Sequence, residues 1–307
     1  MINLNLQQLR YVLAVAETRS FTRAAETLFV VQSALSQQVR KLEAELGVQL
    51  FTRTTRSVSL TTVGEALIPL MRQVIAGVDR ITVDAQALRG SVTGRLTVGM
   101  MEIPSDSLDV AALMATFHAD YPDVTVTLRS GGSDVLVQAT RDRKLDVAIV
   151  GSNVARSGDP ISFDHLFSES LVAVLPIQHR LAANPSVSLN ELAELPFIDF
   201  PLGYGLRHET DRGFAGIQRR VAFEVTRVDE VIHFVCQGLG VALLPESVAR
   251  NRAEANPTLV LLPVRGAVLR REVHLVAPHA ELCSAATRAF IQCVHAHIAH
   301  RAETQST

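Results

Sequence analysis

The sequence predicts an α/β chain in three parts: a small helical unit with a β-hairpin at its N-terminal end, one long helix, and a two-lobed α/β domain. Three observations predict it. Apolar residues recur at the 3.6-residue helical period through the first fifty positions, and a heptad-spaced run follows. Beyond residue 90, short β-prone runs alternate with amphipathic segments, the layer pattern of a parallel sheet flanked by helices.

At 307 residues and 48% hydrophobic content, the chain can bury more than one core. The net charge of -2 argues against a polybasic membrane binder. The average hides a basic end, because residues 1–62 hold seven Lys or Arg against four Glu. Cys236, Cys283 and Cys293 form no CxxC pair, which fits buried thiols in a reducing compartment. MINLNLQQLR lacks a signal-peptide run, and no apolar stretch is long enough for a bilayer span. The expectation is a cytoplasmic protein with no membrane partner.

LQQLRYVLAVAETRSF places Leu6, Leu9, Val12, Leu13 and Ala16 on one helical face. Ser20 is suited to cap a second helix from Phe21 to about Leu28, and Gln32 or Ser33 opens a third that runs to Glu45 before Gly47. Leu35, Val39, Leu42 and Leu46 line the inner face of that third helix, leaving Ser36, Gln37, Arg40 and Lys41 to point elsewhere. A tight turn between the last two helices is the helix-turn-helix arrangement, whose second member enters the DNA major groove. Gln32, Ser33, Ser36 and Gln37 are therefore candidate base readers. VQLFTRTTRSVSLTT then gives two β-prone runs, with Leu50 and Phe51 as anchors and Arg53 and Arg56 displayed at the tip, a wing suited to phosphate or the minor groove. Taken singly, the basic serine-rich helix pair also fits a solvated face; the order and spacing favour a DNA reader.

The stretch VAETRSFTRAAETLFVVQSALSQQVRKLEAELGVQLFTRTTRSVSLTTVGEAL resembles the N-terminal pattern of LysR-type transcriptional regulators. Ala24, Ala25, Ser36, Leu42, Glu43, Gly47, Leu50, Phe51, Arg53 and Gly64 carry the match. The resemblance implies that Gln32, Ser33, Ser36, Gln37, Arg53 and Arg56 contact double-stranded DNA, read as a pseudo-palindrome by a dimer or tetramer. Val31 and Ser33 depart from it, standing where a small residue and proline are usual.

Thr62 with Glu65 reads as a capping box, and Leu67, Met71, Val74, Val78, Ile81, Ala85 and Leu88 alternate four-three spacing. Such a helix packs on a second copy or on its own domain; the resemblance favours a dimerising linker. Pro69 is expected to bend it or delay its regular part.

From RLTVGM to LDVAIVG the chain reads βαβαβ, and LFSESLVAVLP opens a second set that ends with REVHLVAP and a last helix. Two lobes with a cleft follow, ligands lying beyond the carboxyl ends of the strands. That rule points to Met100, Met101 and Glu102, to Ser130, Gly131 and Gly132, to Gly151, and to Phe200, Pro201 and Gly203 as effector contacts. RSGGSD suits close backbone approach and an anion at a helix start, or is only a glycine-rich turn. Glu102 conflicts with a simple carboxylate. FHADYPDVTVTL, KLDVAIVG, ESLVAVLPIQHRLA and VCQGLGVALLPESVA resemble the effector-binding domain of the same family, itself similar to periplasmic binding proteins.

The expected organisation is a winged helix-turn-helix over 1–61, a linker helix over 62–89 and a bilobed effector-binding domain over 90–307. Its first lobe takes about 90–164 and 269–307 and its second about 165–268, with hinges near His165 and Val268. HAHIAH lacks HExxH or CxxC spacing, no GxSxG or phosphate loop occurs, and Asp146 and Asp199 have no partnered His or Ser in sequence. No catalysis, cofactor or metal is expected. The rival expectation is the solute-binding component of a transporter; the basic winged unit argues against it.

Overall fold

Polar caps set the first two helices. α1 (Leu6–Thr18) starts where the Asn5 side chain accepts from Gln7 N, and α2 (Phe21–Thr27) where Ser20 Oγ accepts from Arg23 N. α3 (Gln32–Leu46) begins at Val31 with no side-chain cap and stops at Gly47, whose φ of 69° suits glycine. The computed structural model describes residues 5–53, 58–87, 92–102, 108–151 and 158–305, in two compact units, Met1–Arg89 and Gly90–Thr307.

In the first unit Leu9, Val12, Val15, Ala24, Leu35, Val39, Leu42 and Leu50 form one buried core. β1 (Phe51–Arg53) pairs antiparallel with β2 (Val58–Leu60), Phe51 opposite Leu60, and Phe51 packs edge-on against Phe21. α4 (Thr62–Ala87) corrects two expectations. Its cap is Thr61, whose hydroxyl accepts from Gly64 N at 2.9 Å, one residue before the expected Thr62. The heptad seam is divided: Ile68 and Met71 are buried in this unit's core with Leu67 and Ile75 against it, whereas Val74 and Ile81 are exposed. Pro69 lies within α4 without ending it. Leu88 is outside the described residues.

In the second unit β3 (Gly94–Met101), α5 (Val110–Asp120), β4 (Val124–Gly131), α6 (Ser133–Arg141) and β5 (Val147–Val150) make the βαβαβ start, both strand pairs parallel. β6 (Ile161–Pro176), β7 (Val187–Ser188), α7 (Leu189–Ala193), β8 (Pro196–Asp199), α8 (Gly205–Gly213), β9 (Arg220–Glu224), α9 (Val228–Cys236), β10 (Ala242–Pro245), α10 (Glu246–Glu254), β11 (Leu259–Arg265), β12 (Arg270–Pro278) and α11 (Ala285–Gln305) follow. The main sheet runs β4-β3-β5-β12-β6-β11-β7, with β10 also on β6; β8 and β9 pair separately.

β6 is one 16-residue strand shared by both lobes. Its first ten residues, all but Leu166, pair with β12 and its last six with β10 and β11. The passage between lobes falls where Leu171 N donates to Leu269 O at 3.0 Å. His165, expected at a hinge, instead sits inside the first-lobe sheet opposite His274. The cause is the length of β6: the strand runs on past a bulge at Leu166 and carries the chain across, so the lobe change leaves no turn in the sequence. The first lobe packs Leu96, Val98, Phe117, Ile149, Leu275 and Phe290 together; the second packs Val174, Phe197, Val231, Val235 and Leu244.

Candidate functional site

The exposed start of α3 carries Gln32, Ser33 and Gln37, as expected of a helix that presents its first turns to a groove. Ser36 does not join them. It is 8% exposed, and its Oγ accepts from Arg53 Nη1 at 3.2 Å. Arg53 is likewise not displayed at a hairpin tip. Its guanidinium lies 4.3 Å from the Phe21 ring centroid and donates to Glu43 Oε2 at 3.0 Å. Glu43 Oε1 also accepts from the amides of Leu50 and Phe51, at 2.9 and 3.2 Å. Glu43, Arg53 and Ser36 thus fasten the wing to α3, which fixes one relative to the other. Arg56 lies outside the described residues.

In the second unit a small pocket opens where the lobes meet, lined by Met101, Glu102, Gly131, Gly132, Ser133, Gly151, Tyr204, Gly205, Leu206 and Arg271. Of the expected residues, Met101, Glu102, Gly131, Gly132 and Gly151 line it. Met100 is instead buried in the first-lobe core and does not line the pocket, and Ser130 is exposed near the end of β4. Phe200 is buried and stacked on Tyr204; Pro201 and Gly203 stand beside the pocket but do not line it.

The lobes touch closely here. Asp134 N, in the first turn of α6, donates to Gly203 O at 3.0 Å, so one of the helix-start amides expected to be free is taken. Tyr204 Oη donates to Glu102 Oε2 at 2.7 Å, and His208 Nε2 lies 3.0 Å from Asp134 Oδ1. A Cβ at Gly205 would stand 2.3 Å from Gly151 O, and one at Gly132 would meet Gly203 O at 3.0 Å. Glycine is required at Gly205 for this approach. Burial, the Glu102 hydrogen bond and the Glu102 charge push the Tyr204 phenol up to about 12.

Arg271, wholly buried, forms the pocket floor and donates through Nε and Nη2 to Glu169 Oε2; Ser247 Oγ donates to Glu169 Oε1 at 3.2 Å. Burial pulls the Arg271 pKa down and Glu169 opposes that; an arginine starts so far above neutrality that it stays charged. The starts of α6, after Gly132, and of α8, at Gly205, face the pocket and add their positive ends to this cation, against the Asp134 carboxylate in the first turn of α6. Glu102 at the mouth has its oxygen engaged by Tyr204, which moderates the conflict its charge poses for an anion.

The strand-end rule reaches as far as Ser133 and Tyr204, which also line the pocket; sequence reasoning missed Gly205, Leu206 and Arg271. The signal for Arg271 is an arginine at an inward position of an apolar strand. Asp146 and Asp199 are structural: Asp146 accepts from Thr97 N at 2.7 Å, and Asp199 pairs at 2.6 Å with Arg219, whose guanidinium packs on Phe197 and Phe214. Among the described residues no three His, Cys, Asp or Glu side chains converge to hold a metal.

Residues 6–65 match the model for bacterial regulatory helix-turn-helix proteins of the lysR family, and residues 89–299 match the LysR substrate binding domain. The chain belongs to the LysR family. As a LysR-type transcriptional regulator it is 34% identical to the uncharacterized HTH-type transcriptional regulator YnfL of Escherichia coli, over 81% of this chain and 84% of that one. It is 32% identical to the transcriptional dual regulator GltC of Bacillus subtilis, over 90% and 91%. A full-length OxyR variant from Pseudomonas aeruginosa superposes with a TM-score of 0.77 at 25% identity, covering 96% of this chain and 95% of that one. These relatives of the LysR-type regulator are named as regulators, not enzymes, and a transporter component finds no support beside the helix-turn-helix match. No helix among the described residues is long and apolar enough to cross a membrane.

Proposed function

We propose that this LysR-type regulator takes a small molecule with an anionic group between the lobes of its second unit, and that occupancy changes how two copies of the chain engage a pseudo-palindromic duplex. The convergence of buried Arg271 and two helix N-termini on one pocket carries the reading. An effector acts only through its differential affinity for two arrangements of the lobes. The Tyr204–Glu102 and His208–Asp134 contacts supply one such arrangement, in which the lobes are held together. The solved effector binding domain of QuiR, which shares the fold at 22% identity and a TM-score of 0.59, is in complex with shikimate.

Within the first unit, Gln32, Ser33 and Gln37 read bases, Arg53 and Ser36 position the wing, and Arg56 contacts the backbone. A dimer through the uncovered half of α4 would place two such units on one site. The experiment is a thermal-shift survey of small carboxylates and phosphates on the full chain, repeated on Gly132→Phe. A compound that stabilises the wild type and leaves the variant unmoved supports the site; equal stabilisation of both places the ligand elsewhere.

A further inference from the structure

The chain between α2 and α3 breaks two local rules side by side. Phe29 adopts φ 54°, the left-handed region, where a bulky aromatic is strained and Asn or Gly is comfortable. Val31 is the N-cap of α3 and makes no side-chain cap, while α1, α2 and α4 in the same unit are capped by Asn5, Ser20 and Thr61. Valine is among the poorest N-caps. Both departures replace a polar residue that would stabilise the turn with an apolar one, and neither side chain is used for packing: Phe29 is 96% exposed and Val31 72%. Paired costs of this kind, with nothing gained inside the fold, are expected where a surface is shaped for a partner.

The partner follows from position. Val31 directly precedes Gln32 and Ser33, on the helix of a LysR-family helix-turn-helix, so this apolar edge continues the surface offered to the major groove. The major groove presents one apolar group, the 5-methyl of thymine. We infer that Val31, with Phe29 beside it, reads thymine methyl groups in each half-site and so sets part of the sequence preference of this regulator. The inference rests on α3 being the groove-entering helix.

The test uses the full-length protein and a duplex that it selects from a random pool. Each thymine is replaced singly by deoxyuridine, which removes the methyl and leaves base pairing intact. At one thymine or more per half-site, wild-type affinity falls about fourfold per methyl, the worth of burying one such carbon. The Phe29→Asn/Val31→Ser protein binds the thymine duplex more weakly, suffers no further loss on uracil, and melts at a higher temperature because both replacements suit the local backbone. That melting rise separates lost recognition from lost folding. Wild-type indifference to uracil at every position overturns the inference, as does a double variant that keeps the full uracil penalty or loses affinity equally for every duplex. A pool that yields no enriched sequence overturns the reading of α3 itself, and the inference with it.

Discussion

The Tyr204 hydroxyl donates to the Glu102 carboxylate at 2.7 Å, joining the second lobe to the first at the mouth of the pocket. Burial pushes that phenol up to about 12, and the bond to Glu102 and its charge add to the shift, since ionising the phenol would place a second negative charge beside Glu102. Glu102→Gln is expected to move this tyrosine part of the way back down, leaving the share due to burial. Ultraviolet titration of the three tyrosines, with Tyr204→Phe to assign the high one, checks it.

Gly205 brings α8 against the Gly151 carbonyl, and any side chain there collides with backbone. Gly205→Ala should hold the lobes apart, abolishing stabilisation by ligand at least tenfold in apparent affinity while leaving binding of DNA in the absence of ligand within about twofold. Isothermal titration and a mobility shift on the same preparation measure the two effects.

Glu43 satisfies the amides of Leu50 and Phe51 and pairs with Arg53. Glu43→Ala strands two partly buried donors and frees Arg53, which should cost about 1–3 kcal/mol in the first unit. Chemical denaturation followed by a probe in that unit reports the loss, and DNA affinity falls with it because the wing is no longer fixed to α3.

Ile81 is 71% exposed on α4, whereas Met71 is buried against the unit's own core. Ile81→Asp should dissociate the dimer without lowering the melting temperature of the first unit; Met71→Asp should unfold that unit. Sedimentation and calorimetry distinguish these results. An Ile81→Asp protein that stays dimeric would assign the interface to another surface.

Burial pushes Asp199 up to about 6, against the pull of Arg219, from an ordinary value near 3.8. The folded chain therefore binds a proton between these values that the unfolded chain does not, so this group adds stability as pH falls from 7 to 5, by about 1 kcal/mol. Asp199→Asn removes that slope. Stability curves of both proteins at pH 7 and 5 reveal it as a difference between them.

The sequence displayed the periodic elements well because burial and period coincide there: Leu35, Val39 and Leu42 face inward as their spacing requires, and β3 to β5 follow their alternation with helices. What escaped it depends on contacts between distant residues. The spacing of its neighbours points Ser36 outward, yet Arg53, seventeen positions on, covers it. The lobe passage was placed at His165 because a strand long enough to serve two lobes carries no breaking residue. Arg271 reaches the pocket from a strand more than a hundred residues beyond Met101, a distance that no local pattern spans.

The central claim is that occupancy of the pocket alters DNA engagement. Its most direct measurement is the affinity and footprint of the full chain on its selected duplex, with and without a compound that stabilises it, for wild type and Gly132→Phe. A ligand-dependent change is expected in the wild type and vanishes in the variant, whose ligand-free DNA binding persists because the first unit has its own core. A wild-type affinity and footprint that ignore every stabilising compound, or a variant that responds as the wild type does, would contradict it.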